Sequence, residues 1–149
     1  MRAVVQRVNA ARVEVAGAII GAIDQGLVAF VGAGKGDTDA DVTWLVEKVI
    51  GLRIFEDETG KMARGLSDMG GGLLVVSQFT LYADVRRGRR PSFDDAMPPG
   101  EAERLYDQFV MLARARAPRV ETGRFRAAMR VIVDNDGPVT TQLDSKATK

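Results

Sequence analysis

The chain of 149 residues is 46% hydrophobic and 28% charged, with a formal net charge of +1 at pH 7. These values are typical of a folded domain and exclude a disordered chain, and no apolar run is long enough to predict a membrane-spanning helix. Because cysteine and histidine are both absent, the sequence also excludes disulfides, thiolate nucleophiles and an imidazole base.

The first third of the chain has the pattern of β-strands followed by a helix. Apolar residues recur at three- and four-residue spacing from about Asp39, which predicts a helix with one buried face. Before and after it, short apolar or alternating runs between turn residues predict strands. These strands are predicted at 12–15, 19–23, 27–31 and 53–55.

The glycine-rich segment 32–36 lies between a predicted strand and a predicted helix, as a dinucleotide-binding loop does. Three aspartates, Asp37, Asp39 and Asp41, crowd the start of the following helix, where they would repel a pyrophosphate. Lys35 is not followed by the serine or threonine of a phosphate-binding loop. We therefore expect a simple turn here.

Segment 73–81 is the most informative part of the sequence. The glycine triplet 70–72 precedes four apolar residues, which predicts a buried strand. The polar run that follows consists of Ser77, Gln78, Phe79 and Thr80. Polar groups at the end of a buried strand are held rigidly enough to form a reaction site. The alternative is that the hydroxyls only end the strand by bonding to the local backbone.

Arginines concentrate in two clusters. The first lies in the long loop 83–100 and consists of Arg86, Arg87, Arg89 and Arg90, and the second consists of Arg114, Arg116, Arg119, Arg124, Arg126 and Arg130. Because the planar guanidinium matches phosphate oxygens, these residues could contact a polyanion. A solvated charged surface is the alternative.

The last third predicts a helix over 100–115 and further strands at 119–122, 129–133 and 139–143, before a frayed tail at 144–149. Strands that flank two helices predict an α+β fold. We expect one cytosolic domain over residues 1–149, with no cofactor and no metal.

Segment 135–140, Asn-Asp-Gly-Pro-Val-Thr, carries a strong turn signal. It is either a hairpin connection or a rigid backbone feature that presents carbonyl oxygens, since proline adds no competing N–H. The sequence by itself does not decide between the two.

Several segments together resemble the bacterial and eukaryotic family of D-aminoacyl-tRNA deacylases over nearly the whole chain. In chain order they are Gln6-Arg7-Val8, Gly60-Lys61-Met62, Ser77-Gln78-Phe79-Thr80-Leu81, Arg90-Pro91-Ser92-Phe93, Thr122-Gly123-Arg124-Phe125 and Asn135-Asp136-Gly137-Pro138-Val139-Thr140. The resemblance implies a mostly antiparallel, barrel-like sheet with two main helices.

The resemblance also implies an activity and a site. Similar proteins are homodimers that hydrolyse the ester of D-aminoacyl-tRNA and of mischarged glycyl-tRNA, with each active site at the dimer interface. Gly137 and Pro138 would form a cis pair that reaches into the partner's pocket, binds the α-ammonium group and blocks L side chains. Arg7 would orient this loop. After Thr140 this chain has Thr141-Gln142 where many relatives carry an aromatic residue, so the pocket wall differs.

In the same family Ser77, Gln78, Phe79 and Thr80 form the pocket floor. Thr80 is either a nucleophile or a residue that positions the ester, with the backbone N–H groups of Phe79 and Thr80 stabilising the oxyanion. We favour positioning, because a threonine nucleophile needs an adjacent base. The arginines 86, 87, 89 and 90 would contact acceptor-stem phosphates. A non-catalytic module that binds aminoacyl-tRNA ends is the alternative function.

Overall fold

The structure is a computed structural model that describes residues 1–147. Its strands are β1 (Arg2–Val15), β2 (Ala18–Ile23), β3 (Gly26–Gly32), β4 (Phe55–Glu56), β5 (Met62–Arg64), β6 (Gly72–Ser77), β7 (Arg119–Thr122) and β8 (Arg130–Asp144). The helices are α1 (Asp39–Gly51) and α2 (Pro99–Arg114), and a 3₁₀ turn covers Phe79–Tyr82.

One curved sheet organises the molecule. Its strand order is β2-β1-β3-β6-β7, with β8 also paired to β1. The β3–β6 and β6–β7 pairs are parallel and the other pairs are antiparallel. The guanidinium of Arg119 in β7 donates to the carbonyl of Ala22 in β2 at 3.2 Å, so the two ends of the sheet approach each other as in a nearly closed barrel. The predicted α+β, barrel-like fold is confirmed.

Strand β6 lies in the centre and is buried on both faces, as its continuous apolar run predicts. Leu73 and Val75 pack into the core between the sheet and the two helices. Leu74 and Val76 point the other way and pack into a second core inside the barrel. The position and direction of Ser77, where β6 ends, are therefore determined by packing on two sides.

The two helices cover one face of the sheet, and the predicted start of α1 and both predicted bounds of α2 agree with the structure to within one residue. The predicted stripe on α1 consists of Val42, Leu45, Val46, Val49 and Ile50. The first four are fully buried, and Ile50 is half-buried. Helix α2 has Pro99 in its first turn, where proline has no backbone bond to lose, and it buries Leu105 and Phe109.

The prediction for the N-terminal segment was incomplete. Strand β1 begins at Arg2, not at residue 12, because it pairs with β3 over its first half and with β2 over its second. The pairing of Arg2 with Gly32 joins residues that are 30 positions apart. A local sequence pattern does not register such contacts.

The predicted strands 129–133 and 139–143 are parts of the single strand β8, so the hairpin interpretation of segment 135–140 is wrong. β8 pairs with β1 through residues 130–135 and again through residues 140–144. Gln6 pairs with Thr140 and Val8 pairs with Asn135. An advance of two residues along β1 therefore corresponds to five residues along β8. The extra residues form a bulge, and the long β1 template keeps the strand in register on both sides of it.

The prediction of a frayed tail is wrong for residues 144–146. Asp144 is the last residue of β8 and accepts a hydrogen bond from Arg2 at 3.0 Å. The hydroxyl of Ser145 donates to Asp41 at 2.6 Å, and Lys146 forms an ion pair with the same carboxylate at 3.1 Å. Residues 148–149 lie outside the described part of the chain.

Candidate active site

A cavity of about 750 Å³ opens beside the C-terminal end of β6. Ser77, Gln78 and Phe79 line it, together with the loop after β3, the loop before α2 and the turn between β7 and β8. The strand ends because the Gln78 N–H makes the last sheet bond, to the carbonyl of Val31 at 2.8 Å. The chain then continues as the 3₁₀ turn, and most of the predicted polar run lies along the cavity.

Thr80 lies next to this cavity but does not line it. Its side chain is exposed, and its hydroxyl oxygen accepts a hydrogen bond from the side-chain amide of Gln78. Phe79 is 55% exposed and contacts the ring of Phe93 edge to face at 5.0 Å between centroids. The structure thus brings three of the four predicted residues into the cavity and leaves Thr80 at its border.

The backbone after Gln78 offers hydrogen-bond donors. Phe79 and Thr80 are the first two residues of the 3₁₀ turn, and the first N–H groups of a helical turn have no acceptor within it. The next amide, of Leu81, already donates to the Gln78 carbonyl at 3.3 Å. Two neighbouring N–H groups beside a cavity are the arrangement that can stabilise a developing oxyanion.

Two aromatic residues that were not predicted as site residues form another part of the cavity wall. The hydroxyl of Tyr106 donates to the carbonyl of Val75 at 3.0 Å, and its ring lies 5.8 Å from that of Phe125. Burial raises the pKa of Tyr106 above its usual range. Tyr106 lies four residues after Ala102, which also lines the cavity, so a second stripe on α2 was the available signal.

Arg7 is a buried arginine beneath the β8 bulge. Its Nη1 donates to the carbonyl of Ile54 at 2.8 Å, and its Nε donates to the carbonyl of Asp136 at 3.3 Å. The Asp136 carboxylate also forms an ion pair with the guanidinium at 3.2 Å. Gly137 and Pro138, joined by a cis peptide bond, are exposed directly above. Arg7 therefore contacts the segment that it was predicted to orient.

The Gly137–Pro138 segment is remote from the cavity of its own chain. It lies opposite Arg7, which pairs with Leu27, and Leu27 pairs with Leu73. Ser77 is four residues further along β6, and three strand spacings separate β6 from β8. Measured along the curved sheet, this offset is about 20 Å. Neither residue lines the cavity.

In the predicted basic loop, one arginine is paired with a carboxylate and the other three are exposed. Asp84 accepts two hydrogen bonds from the Arg86 guanidinium, at 2.9 and 2.7 Å. These bonds lower the pKa of Asp84 to about 2 and raise the pKa of Arg86. Arg87, Arg89 and Arg90 are exposed, and within residues 1–147 none of them forms an ion pair.

The glycine-rich turn after β3 is filled by a carboxylate. Asp37 accepts a hydrogen bond from the Gly34 N–H at 2.7 Å and forms a buried ion pair with the Met1 ammonium at 2.9 Å. A carboxylate thus takes the bonds that a bound phosphate would need, and the expectation of a simple turn is confirmed.

In the part of the chain that the structure describes, no three acidic side chains are placed to hold a metal ion together. Neither described helix combines the length and the apolar composition that crossing a bilayer requires.

Known proteins similar to this chain belong to one family. The family model described as "D-Tyr-tRNA(Tyr) deacylase" matches residues 4–144. A protein of Sorangium cellulosum (strain So ce56) named D-aminoacyl-tRNA deacylase is 63% identical in an alignment of length 149 that covers 99% of each chain.

Two solved structures share the fold. One, titled "c-Myc DNA Unwinding Element Binding Protein", has a TM-score of 0.94 and 42% identity over 99% of this chain and 100% of that one. The other, titled as a probable eukaryotic D-amino acid tRNA deacylase, has a TM-score of 0.82 at 17% identity, over 95% of this chain and 97% of that one. The match of the family model to nearly the whole chain, with the high identity of its relatives, shows that this chain belongs to the D-Tyr-tRNA(Tyr) deacylase family.

Proposed function

We propose that this protein hydrolyses the ester bond of D-aminoacyl-tRNA, and of glycyl-tRNA, and spares L-aminoacyl-tRNA. The observation that carries the proposal is the placement of Ser77, Gln78 and Phe79 along one cavity in a chain whose relatives are named D-aminoacyl-tRNA deacylases. The products are the free amino acid and tRNA, which makes the protein a proofreading enzyme of translation. We assign it to the cytoplasm.

The chemistry that we assign to the site needs neither histidine nor cysteine. The N–H groups of Phe79 and Thr80 stabilise the oxyanion that forms when water attacks the ester carbonyl. The 2′-hydroxyl of the terminal ribose activates that water, and the hydroxyl of Thr80 helps to position the ester. Orientation and electrostatic stabilisation are sufficient because an aminoacyl ester is intrinsically labile.

Selection against L-amino acids is assigned to Gly137 and Pro138. Their carbonyl oxygens bind the α-ammonium group, and their backbone occupies the space that an L side chain would need. Arg7 supports this segment because its guanidinium donates to the Asp136 carbonyl and to the Ile54 carbonyl. Glycine has no side chain to exclude, so glycyl-tRNA enters the same site.

This assignment requires a homodimer with its active sites at the interface. The separation of about 20 Å between the Gly137–Pro138 segment and the cavity of the same chain favours action in the partner's site. Strand β8 supports the same conclusion, since no described strand pairs with its outer edge over 15 residues. An exposed edge of this length is usually covered.

The first test is incubation of the protein with D-Tyr-tRNA, L-Tyr-tRNA and Gly-tRNA, with release of free amino acid as the readout. Release from the D and glycine substrates with L-Tyr-tRNA intact supports the proposal. Slower loss of the ester than in buffer alone would instead support the alternative, a module that binds and protects aminoacyl-tRNA ends.

A second test addresses the interface. A Gln78→Ala chain and a Gly137→Ala chain are each expected to be weakly active as homodimers. After mixing and subunit exchange, half of the dimers are mixed and one of their two sites is intact, so about a quarter of the wild-type activity should return. No recovery in verified mixed dimers would show that both residues act within one chain.

A further inference from the structure

We propose that Lys35 and Arg126 form a phosphate-binding pair at the mouth of the cavity, and that their ligand is the backbone of the single-stranded 3′ end of the RNA. The inference rests on the proposed function, because it takes the ester-bearing nucleotide to lie inside the cavity. It assigns a role to two residues that the mechanism above does not use.

The charges along the cavity wall are the first observation. Lys35, from the loop after β3, and Arg126, from the turn between β7 and β8, both line the cavity, and Asp94 is the one carboxylate among its described lining residues. Both cationic side chains are exposed. The wall therefore carries an excess of positive charge where solvent and ligand enter.

The ion pairs of the neighbouring arginines are the second observation. In the cluster that contains Arg126, three arginines, Arg116, Arg119 and Arg130, form ion pairs with glutamates. Arg126 and Lys35 form no ion pair within residues 1–147. An anionic ligand can therefore bind both cations without displacing a carboxylate that the structure already pairs with them.

The backbone of Arg126 is the third observation. Its φ angle is +62°, and it is the third residue of a turn closed by a hydrogen bond from the Ala127 N–H to the Arg124 carbonyl at 3.2 Å. This position of a turn usually takes glycine, because positive φ is unfavourable for a residue with a side chain. An arginine held there at a cavity mouth indicates that its side chain serves something other than folding.

The proposed ligand follows from the chemistry of the substrate. The ester is attached to the ribose of the last nucleotide, so the phosphate on the 5′ side of that ribose is the nearest negative charge to the reacting carbonyl. With the ester beside Phe79, this phosphate and the next one lie toward the cavity mouth. Lys35 follows β3 and Arg126 follows β7, the two strands that flank β6, and each can bind one phosphate.

The experiment compares two non-hydrolysable probes, both with D-tyrosine in amide linkage at the 3′ position. One is the nucleoside adenosine, which has no phosphate, and the other is a trinucleotide with two. Dissociation constants are measured by calorimetry over a range of salt concentrations. For Lys35→Ala and for Arg126→Ala we expect the preference for the trinucleotide to fall about tenfold. The salt slope should fall by about 0.7 for each lost contact.

Matched controls separate local charge from general charge. Arg124→Ala removes the same charge from the same turn, and Arg124 does not line the cavity. Lys61→Ala removes a positive charge from the turn between β4 and β5, which does not line the cavity. Neither should change the trinucleotide preference. Arg126→Gly should lose the same preference and yet raise the melting temperature, because glycine adopts positive φ without strain.

The outcomes distinguish this proposal from the proposed function. Unchanged preference and salt slope in the Lys35 and Arg126 variants, in a wild type that cleaves D-Tyr-tRNA, would overturn the phosphate pair alone. A wild type that binds neither probe and cleaves no ester would overturn both. A loss equal in Arg124→Ala and Arg126→Ala would also overturn the pair, since it would show a diffuse charge effect.

Discussion

Thr80→Ala is the substitution that best separates the two roles open to this hydroxyl. In the structure the Thr80 oxygen accepts one hydrogen bond, from the side-chain amide of Gln78. An amide is not a base, and within residues 1–147 no carboxylate or amine side chain hydrogen-bonds to this hydroxyl. The geometry thus provides a positioning contact and lacks the proton acceptor that a threonine nucleophile needs.

The two roles predict very different losses. A positioning hydrogen bond has a net value of about 0.5–1.5 kcal/mol, which corresponds to a two- to tenfold decrease in kcat at about 1.4 kcal/mol per factor of ten. Removal of a true nucleophile lowers kcat about a millionfold in a serine protease. We therefore expect Thr80→Ala to keep at least a tenth of the wild-type rate.

The assay is single-turnover deacylation of D-Tyr-tRNA at saturating enzyme, which removes effects on binding. Thr80→Ser keeps the hydroxyl and should react at nearly the wild-type rate. A folded Thr80→Ala protein that reacts no faster than the uncatalysed ester would refute the positioning role and identify Thr80 as the nucleophile.

Three further predictions concern stability. Arg7→Leu should lower the free energy of unfolding by about 1–3 kcal/mol, since the Asp136 carbonyl and carboxylate lose their buried partner, and deacylation should fall with it. Asp41→Asn should destabilise at pH 7 by a similar amount, about 1–3 kcal/mol. Burial alone would raise the pKa of Asp41, but hydrogen bonds from Ser145, Thr38 and Lys146 outweigh it and hold that pKa well below 3.8. The Asp41 contribution is thus complete above about pH 5 and is lost as the pH falls toward the folded-state pKa. Gly21→Ala should cost about 1–3 kcal/mol, because a Cβ there would lie 2.4 Å from the Thr122 carbonyl oxygen and separate β2 from β7. Urea denaturation measures all three.

Each of these has a control. Arg7→Lys keeps the charge but not the planar fork and should recover only part of the lost stability. For Asp41→Asn the difference from wild type must shrink between about pH 5 and pH 2, and a difference independent of pH would contradict the ionic explanation. Gly51→Ala places a Cβ where no atom lies within 4 Å and should be neutral or stabilising. Equal losses in both glycine variants would contradict the steric argument.

The local patterns of the sequence were sufficient for the elements whose burial repeats over short distances. The apolar run of β6 and the α1 stripe at positions 42, 45, 46 and 49 report which faces are buried, because each residue contacts neighbours one turn or two positions away. The polar run after β6 was placed at the end of a buried strand for the same reason, and three of its four residues line the cavity.

Long-range strand pairing determined the course of β8 and the assembly of the cavity wall, and a local sequence pattern contains no information about such pairing. The continuity of β8 depends on β1, and even the pair least separated in sequence, Glu14 with Arg130, joins residues 116 positions apart. The turn signal of segment 135–140 therefore became a bulge within a strand. The same pairing buries Arg7 beneath that bulge. Long-range pairing also takes β7 and α2 to the end of β6, so that Phe125 and Tyr106 close a cavity wall that only the folded chain assembles.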